Sequence, residues 1–103
     1  NNRVGTKEVE KIFKEGRSVT SPSLSFKYYK DKRERVKISF IAPKSVAKLA
    51  VKRNFLRRLG YSALEKNIGL SPLGIVGTFV FKRYQDDISV VENEIKNIFS
   101  KIN

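Results

Sequence analysis

The sequence contains no cysteine and no histidine among its 103 residues. The lack of cysteine excludes disulfides, thiolate metal sites and a cysteine nucleophile, and it fits a reducing compartment. The lack of histidine removes the usual zinc ligand, the most frequent general base and the Ser-His-Asp triad. Catalysis by the chain itself would therefore depend on Asp, Glu, Lys, Ser or Tyr.

Long apolar runs are also missing, as is the apolar core of a signal peptide. Because a helix that crosses a bilayer needs roughly 20 apolar residues, we expect no membrane partner and a cytoplasmic location. The chain begins at Asn1 and not at Met, so we expect native residues before it. A chain of this length can form one hydrophobic core, which predicts a single domain over residues 1–103.

Positive charge is abundant and unevenly distributed. The chain has 22 Lys and Arg against 10 Asp and Glu, which gives a net charge of +12. Residues 1–58 contain the whole excess, with 17 basic and 5 acidic side chains, whereas residues 59–103 contain five of each. Such asymmetry favours a polyanionic partner over the alternative of a basic protein that is merely soluble.

Hydrophobic periodicity predicts six elements in the order α-β-β-α-β-α. They are a helix at about 7–15, strands at about 24–29 and 36–42, a helix at about 46–66, a strand at 75–81 and a helix from 88 to the end. The first two strands are interpreted as an antiparallel hairpin. The third is apolar at nearly every position, which is typical of a central strand. The sequence therefore predicts an α+β domain, a small sheet packed with helices.

Helix boundaries follow from capping patterns. Thr6 is a predicted N-cap and Gly16 a predicted stop for the first helix. Asp86 and Asp87 suit the N-terminus of the last helix. Since the other acidic residues near helix starts have equally structural explanations, no catalytic or metal-binding residue is predicted.

The helix at 46–66 has an apolar side and a basic side when its residues are placed 100° apart. The apolar stripe predicted to face the core consists of Val46, Leu49, Leu56, Leu59, Gly60, Ala63 and Leu64. Beside it, Arg53 stacks with Arg57 and Asn54 with Arg58, since each pair is four residues apart. Guanidinium groups remain charged and offer phosphate a planar fork of donors. The residues that we predict to bind RNA are Lys44, Lys48, Lys52, Arg53, Asn54, Arg57 and Arg58.

Aromatic and basic residues alternate along the first predicted strand. Phe26 and Phe40 each share a face with aliphatic residues and are predicted to be buried, whereas Lys27 and Tyr29 lie on the opposite face. Aromatic side chains interleaved with cations hold single-stranded RNA through base stacking and phosphate contacts. Lys27 and Tyr29 are therefore the predicted contacts on this strand.

Part of the basic helix resembles the signature of the bacterial ribonuclease P protein subunit. The segment reads Ala50-Val51-Lys52-Arg53-Asn54-Phe55-Leu56-Arg57-Arg58-Leu59, and the family pattern is approximately Ala-Val-x-Arg-Asn-Arg-Ile-Lys-Arg-Leu. Further similarities are Asn2-Arg3, Ile12-Phe13-Lys14 followed by Gly16-Arg17-Ser18, and Ala42-Pro43-Lys44. Two departures mark a divergent member: Phe55 replaces the second Arg of the Arg-Asn-Arg core, and Tyr61-Ser62 replace Arg-Glu.

The resemblance implies a left-handed β-α-β crossover through this helix, an exception to the usual right-handed rule. It implies a subunit of ribonuclease P, an endoribonuclease whose catalytic RNA and bound Mg²⁺ remove the 5′ leader from precursor tRNA. It implies no small-molecule substrate. By position, Phe13 and Arg17 would line a leader-binding cleft between the first helix and the sheet, together with Lys27 and Tyr29. The basic helix would face the catalytic RNA.

Two other functions remain open from the residues alone. The leading alternative is another RNA-binding module, such as a small ribosomal protein with no part in catalysis. A self-sufficient nuclease that uses its carboxylates is the third. The role of Phe55 is also open, because its ring could stack on RNA, pack on the protein or simply replace a lost contact.

Overall fold

A computed structural model describes residues 5–33 and 35–102 of the chain. Its elements are α1 (Thr6–Glu15), β1 (Arg17–Thr20), β2 (Leu24–Lys30), β3 (Lys37–Ile41), α2 (Ala50–Asn67), β4 (Ile75–Phe81) and α3 (Ile88–Ile102). A short 3₁₀ helix, Ile68–Leu70, follows α2. The predicted α+β class is confirmed. The predicted Asn2-Arg3 similarity lies outside the described residues.

The four strands form one sheet in the order β1-β2-β4-β3. β4 pairs antiparallel with β2 and parallel with β3, and it is the central strand that its continuous apolar run predicts. The predicted hairpin of β2 with β3 is wrong, because β4 lies between them. α2 makes the connection between the parallel strands β3 and β4, and the left-handed sense of this crossover stays a prediction.

β1 is an edge strand that the hydrophobic pattern did not predict. Its four residues pair antiparallel with β2, from Arg17 opposite Tyr28 to Thr20 opposite Ser25. Only Val19 in this strand is apolar, and it packs against the core. Four residues with one apolar position have no detectable alternation, so the pairing with β2 decides the structure here.

The main core lies on the face of the sheet that α2 and α3 cover. Phe79 on β4 stacks between Phe26 on β2 and Phe40 on β3, with ring centroids 4.3 and 4.9 Å away. All three rings are almost completely buried, which confirms the prediction for Phe26 and Phe40. α1 packs on the opposite face, where Ile12 and Val76 are buried. The sheet thus separates α1 from α2.

α1 begins one residue after Gly5, its N-cap, so the predicted cap Thr6 is instead the first helical residue. The predicted stop at Gly16 is confirmed, and its N–H donates to the carbonyl of Ile12 at 2.8 Å. A Cβ at Gly16 would meet that same carbonyl and would lie 2.9 Å from the carbonyl of Tyr28. Close approach of these two carbonyls, one in the last turn of α1 and one in β2, therefore requires glycine.

α2 begins at Ala50, four residues later than predicted. Before it, the carbonyl of Pro43 accepts hydrogen bonds from the N–H groups of Val46 and Ala47 and forms a turn. Leu49 is the N-cap and is 62% exposed, so its place in the core stripe is wrong. The later residues of that stripe are confirmed, since Leu56, Gly60, Ala63 and Leu64 are buried. Val46 and Leu59 are partly buried against the core.

α3 begins next to the predicted acidic pair. The carboxylate of Asp87 accepts a hydrogen bond from the N–H of Ser89 at 2.9 Å, and its carbonyl accepts one from Val91. Deeper in the helix, the buried carboxylate of Glu94 accepts hydrogen bonds from the Ser23 N–H, at 2.7 Å, and from the Ser21 hydroxyl. α3 therefore holds the loop between β1 and β2.

Candidate nucleic-acid interface

The basic side of α2 contains a shallow depression of about 370 Å³. It is lined by Asn54, Arg57, Arg58 and Tyr61. Arg57 donates a hydrogen bond to the side-chain oxygen of Asn54, so the amide holds one guanidinium in place. The structure thus brings together three of the predicted RNA-binding residues, as their helical spacing indicates. Their donors surround a space that could hold a phosphate group.

Tyr61 has a structural role beside this depression. Its ring packs edge-on against Phe40, with centroids 5.0 Å apart. Its hydroxyl accepts a hydrogen bond from the N–H of Phe40 at 3.2 Å. Because β3 is an edge strand, the hydroxyl supplies a partner that no neighbouring strand can offer. The tyrosine that departs from the family pattern therefore joins α2 to the sheet.

Arg53 differs from its neighbours, because its guanidinium turns back toward the chain before α2. One terminal nitrogen donates to the carbonyls of Ala47, at 3.0 Å, and Lys48, at 2.7 Å. These bonds hold the 43–49 loop against the first turn of the helix. Sequence reasoning grouped Arg53 with Arg57, and the structure gives it a separate, stabilising contact. Lys44 and Lys48 are exposed on that loop instead of on the helix.

The cations of α2 have no acidic partners among the residues that the structure describes. The ion pairs among the described residues lie on the other side of the sheet from α2. They join Arg35 to Glu8 and Asp31, and Lys37 to Glu8. Like charges one turn apart repel each other unless an anion lies between them. An external polyanion would therefore relieve this repulsion on α2.

A second depression adjoins the first and is aromatic. It has a volume of about 430 Å³ and is lined by Val51, Lys52, Phe55, Arg58, Tyr84 and Asp86. Arg58 belongs to both depressions. Sequence reasoning missed Tyr84, and the available signal was the run Lys82-Arg83-Tyr84, two cations and an aromatic residue directly after β4.

On the opposite face of the sheet, α1 packs on β2 and β4, next to the predicted leader-binding residues. The ring of Phe13 is 52% exposed, and the ammonium of Lys27 lies 4.7 Å from its centroid. Farther along β2, the ammonium of Lys11 lies 4.6 Å from the ring of Tyr29. The rest of this sheet face is rich in hydroxyl groups. They belong to Ser18, Thr20, Ser25, Ser39 and Thr78, which the strand registers place on the side of Lys27.

The four predicted leader-binding residues fall into two pairs. Phe13 and Lys27 contact each other, as described. Arg17 and Tyr29 instead line a depression of about 290 Å³ at the end of α1, together with Glu15, Tyr28 and Lys30. Desolvation by burial, reinforced by the negative charges of Glu8 and Asp31, raises the pKa of Tyr29. Its phenol therefore remains a neutral hydrogen-bond donor.

Glu8 fixes α1 above the sheet. Its carboxylate accepts a hydrogen bond from the N–H of Gly5 at 2.8 Å and lies 3.2 Å from the ammonium of Lys37 on β3. The Gly5 hydrogen bond, opposed by burial and assisted by Lys37 and Arg35, lowers the pKa of Glu8. The ionised carboxylate thus joins the beginning of α1 to β3.

Across 5–33 and 35–102, no group of three or more His, Cys, Asp or Glu side chains could hold a metal ion. In the same residues, no helix is both long enough and apolar enough to cross a membrane.

Comparisons of sequence and of structure with known proteins agree on one family. The family model described as Ribonuclease P matches residues 4–103. The ribonuclease P protein from Thermotoga maritima superposes with a TM-score of 0.87 at 19% sequence identity, covering 100% of this chain and 99% of that one. The Staphylococcus aureus ribonuclease P protein gives 0.84 at 14% identity, covering 100% and 96%. At such identities these structures establish similarity of fold. No curated protein matches the sequence.

Proposed function

The chain belongs to the ribonuclease P protein family, and from that premise we propose that it holds the 5′ leader of precursor tRNA during leader removal. It is a protein subunit of ribonuclease P, and ribonuclease P RNA is its partner. Assignment as an unrelated RNA-binding module, such as a ribosomal protein, is not favoured.

We assign the chemistry of the cut to the RNA subunit and its Mg²⁺. This part of the proposal is supported by the side chains available, since the sequence has no histidine or cysteine. The protein's contribution is to bind and orient the two RNAs, which lowers the entropic cost of bringing them together.

The observation that supports leader binding is the exposed Phe13 ring beside Lys27, where α1 packs on the sheet. The space between α1 and the sheet is the proposed leader-binding cleft. An unpaired base could stack on this ring, while Lys27 neutralises a neighbouring phosphate. The accessible hydroxyl groups of the sheet face, those of Ser18, Thr20 and Ser25, can donate to phosphate or accept from ribose. None of these contacts distinguishes one base from another, so the cleft suits leaders of differing sequence.

We assign the basic side of α2 to the RNA subunit. Arg57 and Arg58 offer bidentate hydrogen bonds to phosphate, and Asn54 holds Arg57 in position. Because the sheet separates α1 from α2, the two surfaces face different directions. One small protein could therefore contact the catalytic RNA and the leader at the same time.

The test is reconstitution of the full chain with a bacterial ribonuclease P RNA at low Mg²⁺. We expect the protein to restore removal of the leader from precursor tRNA, with no cleavage when the RNA subunit is omitted. Failure to stimulate would contradict the assignment to the subunit. Cleavage by the protein alone would establish the nuclease alternative.

Comparing tRNA with and without a leader tests the proposed cleft separately from the basic side of α2. We expect Phe13→Ala to weaken binding of precursor tRNA with a multi-nucleotide leader about fivefold or more, since one stacked base contributes roughly 1–3 kcal/mol. Binding of mature tRNA, which has no leader, should remain unchanged. Leu73→Ala is the matched control, because Leu73 is exposed far along the chain and lines neither surface. Equal losses for both substrates would argue against leader binding at Phe13.

A further inference from the structure

The aromatic depression beside α2 has a composition suited to one kind of ligand. We call it the aromatic slot, defined by Val51, Lys52, Phe55, Arg58, Tyr84 and Asp86. Its volume of about 430 Å³ falls within the roughly 300–1,000 Å³ of pockets that take small organic groups. Two aromatic rings supply its apolar surface, and two cations stand at its border.

Folding covers Phe55 and Tyr84 only in part. Phe55 and Tyr84 are each 40% exposed, whereas the adjacent Leu56 is fully buried and connects α2 to the core. Phe is also a weaker helix former than Leu, Lys or Arg. An aromatic residue at this position therefore lowers helix propensity, while two fifths of its surface stays in contact with solvent. A ligand that covers the rings would recover that loss.

The lining of the slot indicates a ligand with two parts. An apolar part would contact the aromatic rings, and an adjoining anionic part would contact Lys52 and Arg58. The ammonium of Lys52 lies 6.0 Å from the ring centroid of Tyr84. Arg58 lines both the slot and the depression that contains Asn54 and Arg57. A group bound in the slot would thus lie next to the depression whose donors could hold a phosphate. Asp86, the one carboxylate in the slot, can accept a hydrogen bond from an amino group on a base.

We propose that the aromatic slot binds one unpaired nucleobase of RNA, stacked on Phe55 and Tyr84, with the adjoining phosphate at Arg58 and Lys52. The inference rests on the proposed function in that it takes RNA as the partner of α2. It also assigns Phe55 a role, since the ring replaces the charge of a family arginine with a stacking surface.

The test uses a short oligouridine that contains a single 2-aminopurine, whose fluorescence falls when the base stacks. All variants are made in a Phe13→Ala background, which removes stacking in the α1 cleft. We expect Phe55→Leu and Tyr84→Leu each to raise the dissociation constant about fivefold to tenfold and to reduce the quenching. Phe55→Tyr retains the ring and should retain the quenching, while Leu73→Ala serves as a surface control.

Inorganic polyphosphate separates stacking from charge, since it has phosphates and no bases. The leucine variants should bind polyphosphate as the parent does, and their log-log salt slope for RNA should be unchanged, because no cation is lost. Unchanged quenching and affinity in both leucine variants would overturn the proposal. So would an equal loss of polyphosphate binding.

Failure of the slot and failure of the proposed function give different results. Stimulation of ribonuclease P RNA by the wild-type chain at low Mg²⁺ tests the function without reference to Phe55. A chain that stimulates cleavage while Phe55→Leu and Tyr84→Leu keep full affinity and quenching retains its function and has no base in the slot.

Discussion

Gly60→Ala is the most informative single substitution for the placement of α2. Gly60 is buried in the middle of the helix, where its neighbour is the ring of Phe40 on β3. Helix propensity by itself predicts that alanine stabilises this position by about 1 kcal/mol. The tertiary structure predicts the opposite sign.

The magnitude follows from the space available. An added Cβ would lie 2.6 Å from Cε2 and 2.8 Å from Cγ of Phe40, and closer still to Cδ2. Since carbon atoms are most favourably 3.5–4.0 Å apart, the ring or the helix must move by about 1 Å. The ring has little freedom, because it packs on Phe79 and Tyr61. Overpacking of this kind costs about 2–3 kcal/mol, which leaves a net destabilisation of about 1–2 kcal/mol after the gain in propensity.

Urea denaturation followed by circular dichroism measures this difference. Gly69→Ala is the matched control, since a Cβ there would meet nothing within 4 Å and its backbone angles suit any residue. It should be neutral or more stable by up to about 1 kcal/mol. Adding Phe40→Leu to Gly60→Ala should give a non-additive recovery, because the smaller side chain leaves room for the methyl group. A Gly60→Ala protein as stable as the wild type would refute the reasoning.

The remaining predictions concern charge and buried hydrogen bonds. Arg58→Ala should lower the log-log salt slope of RNA binding by roughly 0.7–0.9 without changing the Tm, and an unchanged slope would remove Arg58 from the interface. Arg53→Ala should reduce the Tm as well, because it loses two hydrogen bonds to the 43–49 loop; equal Tm values for the two variants would contradict this. Glu94→Ala should cost about 1.5–3 kcal/mol in urea denaturation, and Glu94→Gln less, since an amide oxygen can still accept from Ser23; equal losses would contradict the hydrogen-bond explanation. The lowered pKa of Glu8 means that its contribution is complete above its usual value of 4.5 and is lost as pH falls through the lower folded value. The stability advantage of wild type over Glu8→Gln should therefore vanish in acid. An advantage that grew toward low pH would contradict a lowered pKa for Glu8.

Local features of the sequence predicted the element types well. The alternation in β2 and β3 distinguishes buried Phe26 from partly exposed Lys27, because successive side chains in a strand point to opposite faces. The continuous apolar run of β4 indicates a central strand for a similarly local reason. The charge asymmetry and the motif in α2 led to the family that the comparison then established.

Long-range pairing was harder to predict. Consecutive strands are commonly neighbours, so β2 and β3 were interpreted as a hairpin, yet β4 enters between them after the α2 crossover. The alternation of apolar and polar residues in β2 and β3 shows which face of each strand is buried, but it does not indicate which strand pairs with it. The late start of α2 has a related cause, because the 43–49 segment gains a turn and contacts from Arg53 that compete with helix.

The sequence by itself determined the positive field, the α+β class, the amphipathic division of α2 and the family, because all of these depend on composition or on spacing along one element. Only the tertiary structure decided the strand order, the separate role of Arg53 and the placement of Phe55 and Tyr84 in one depression. Phe55 and Tyr84 lie on different segments of the chain, so their shared surface exists only after β4 and α2 have packed. Contacts between distant segments depend on the whole fold, and no local pattern of residues specifies them.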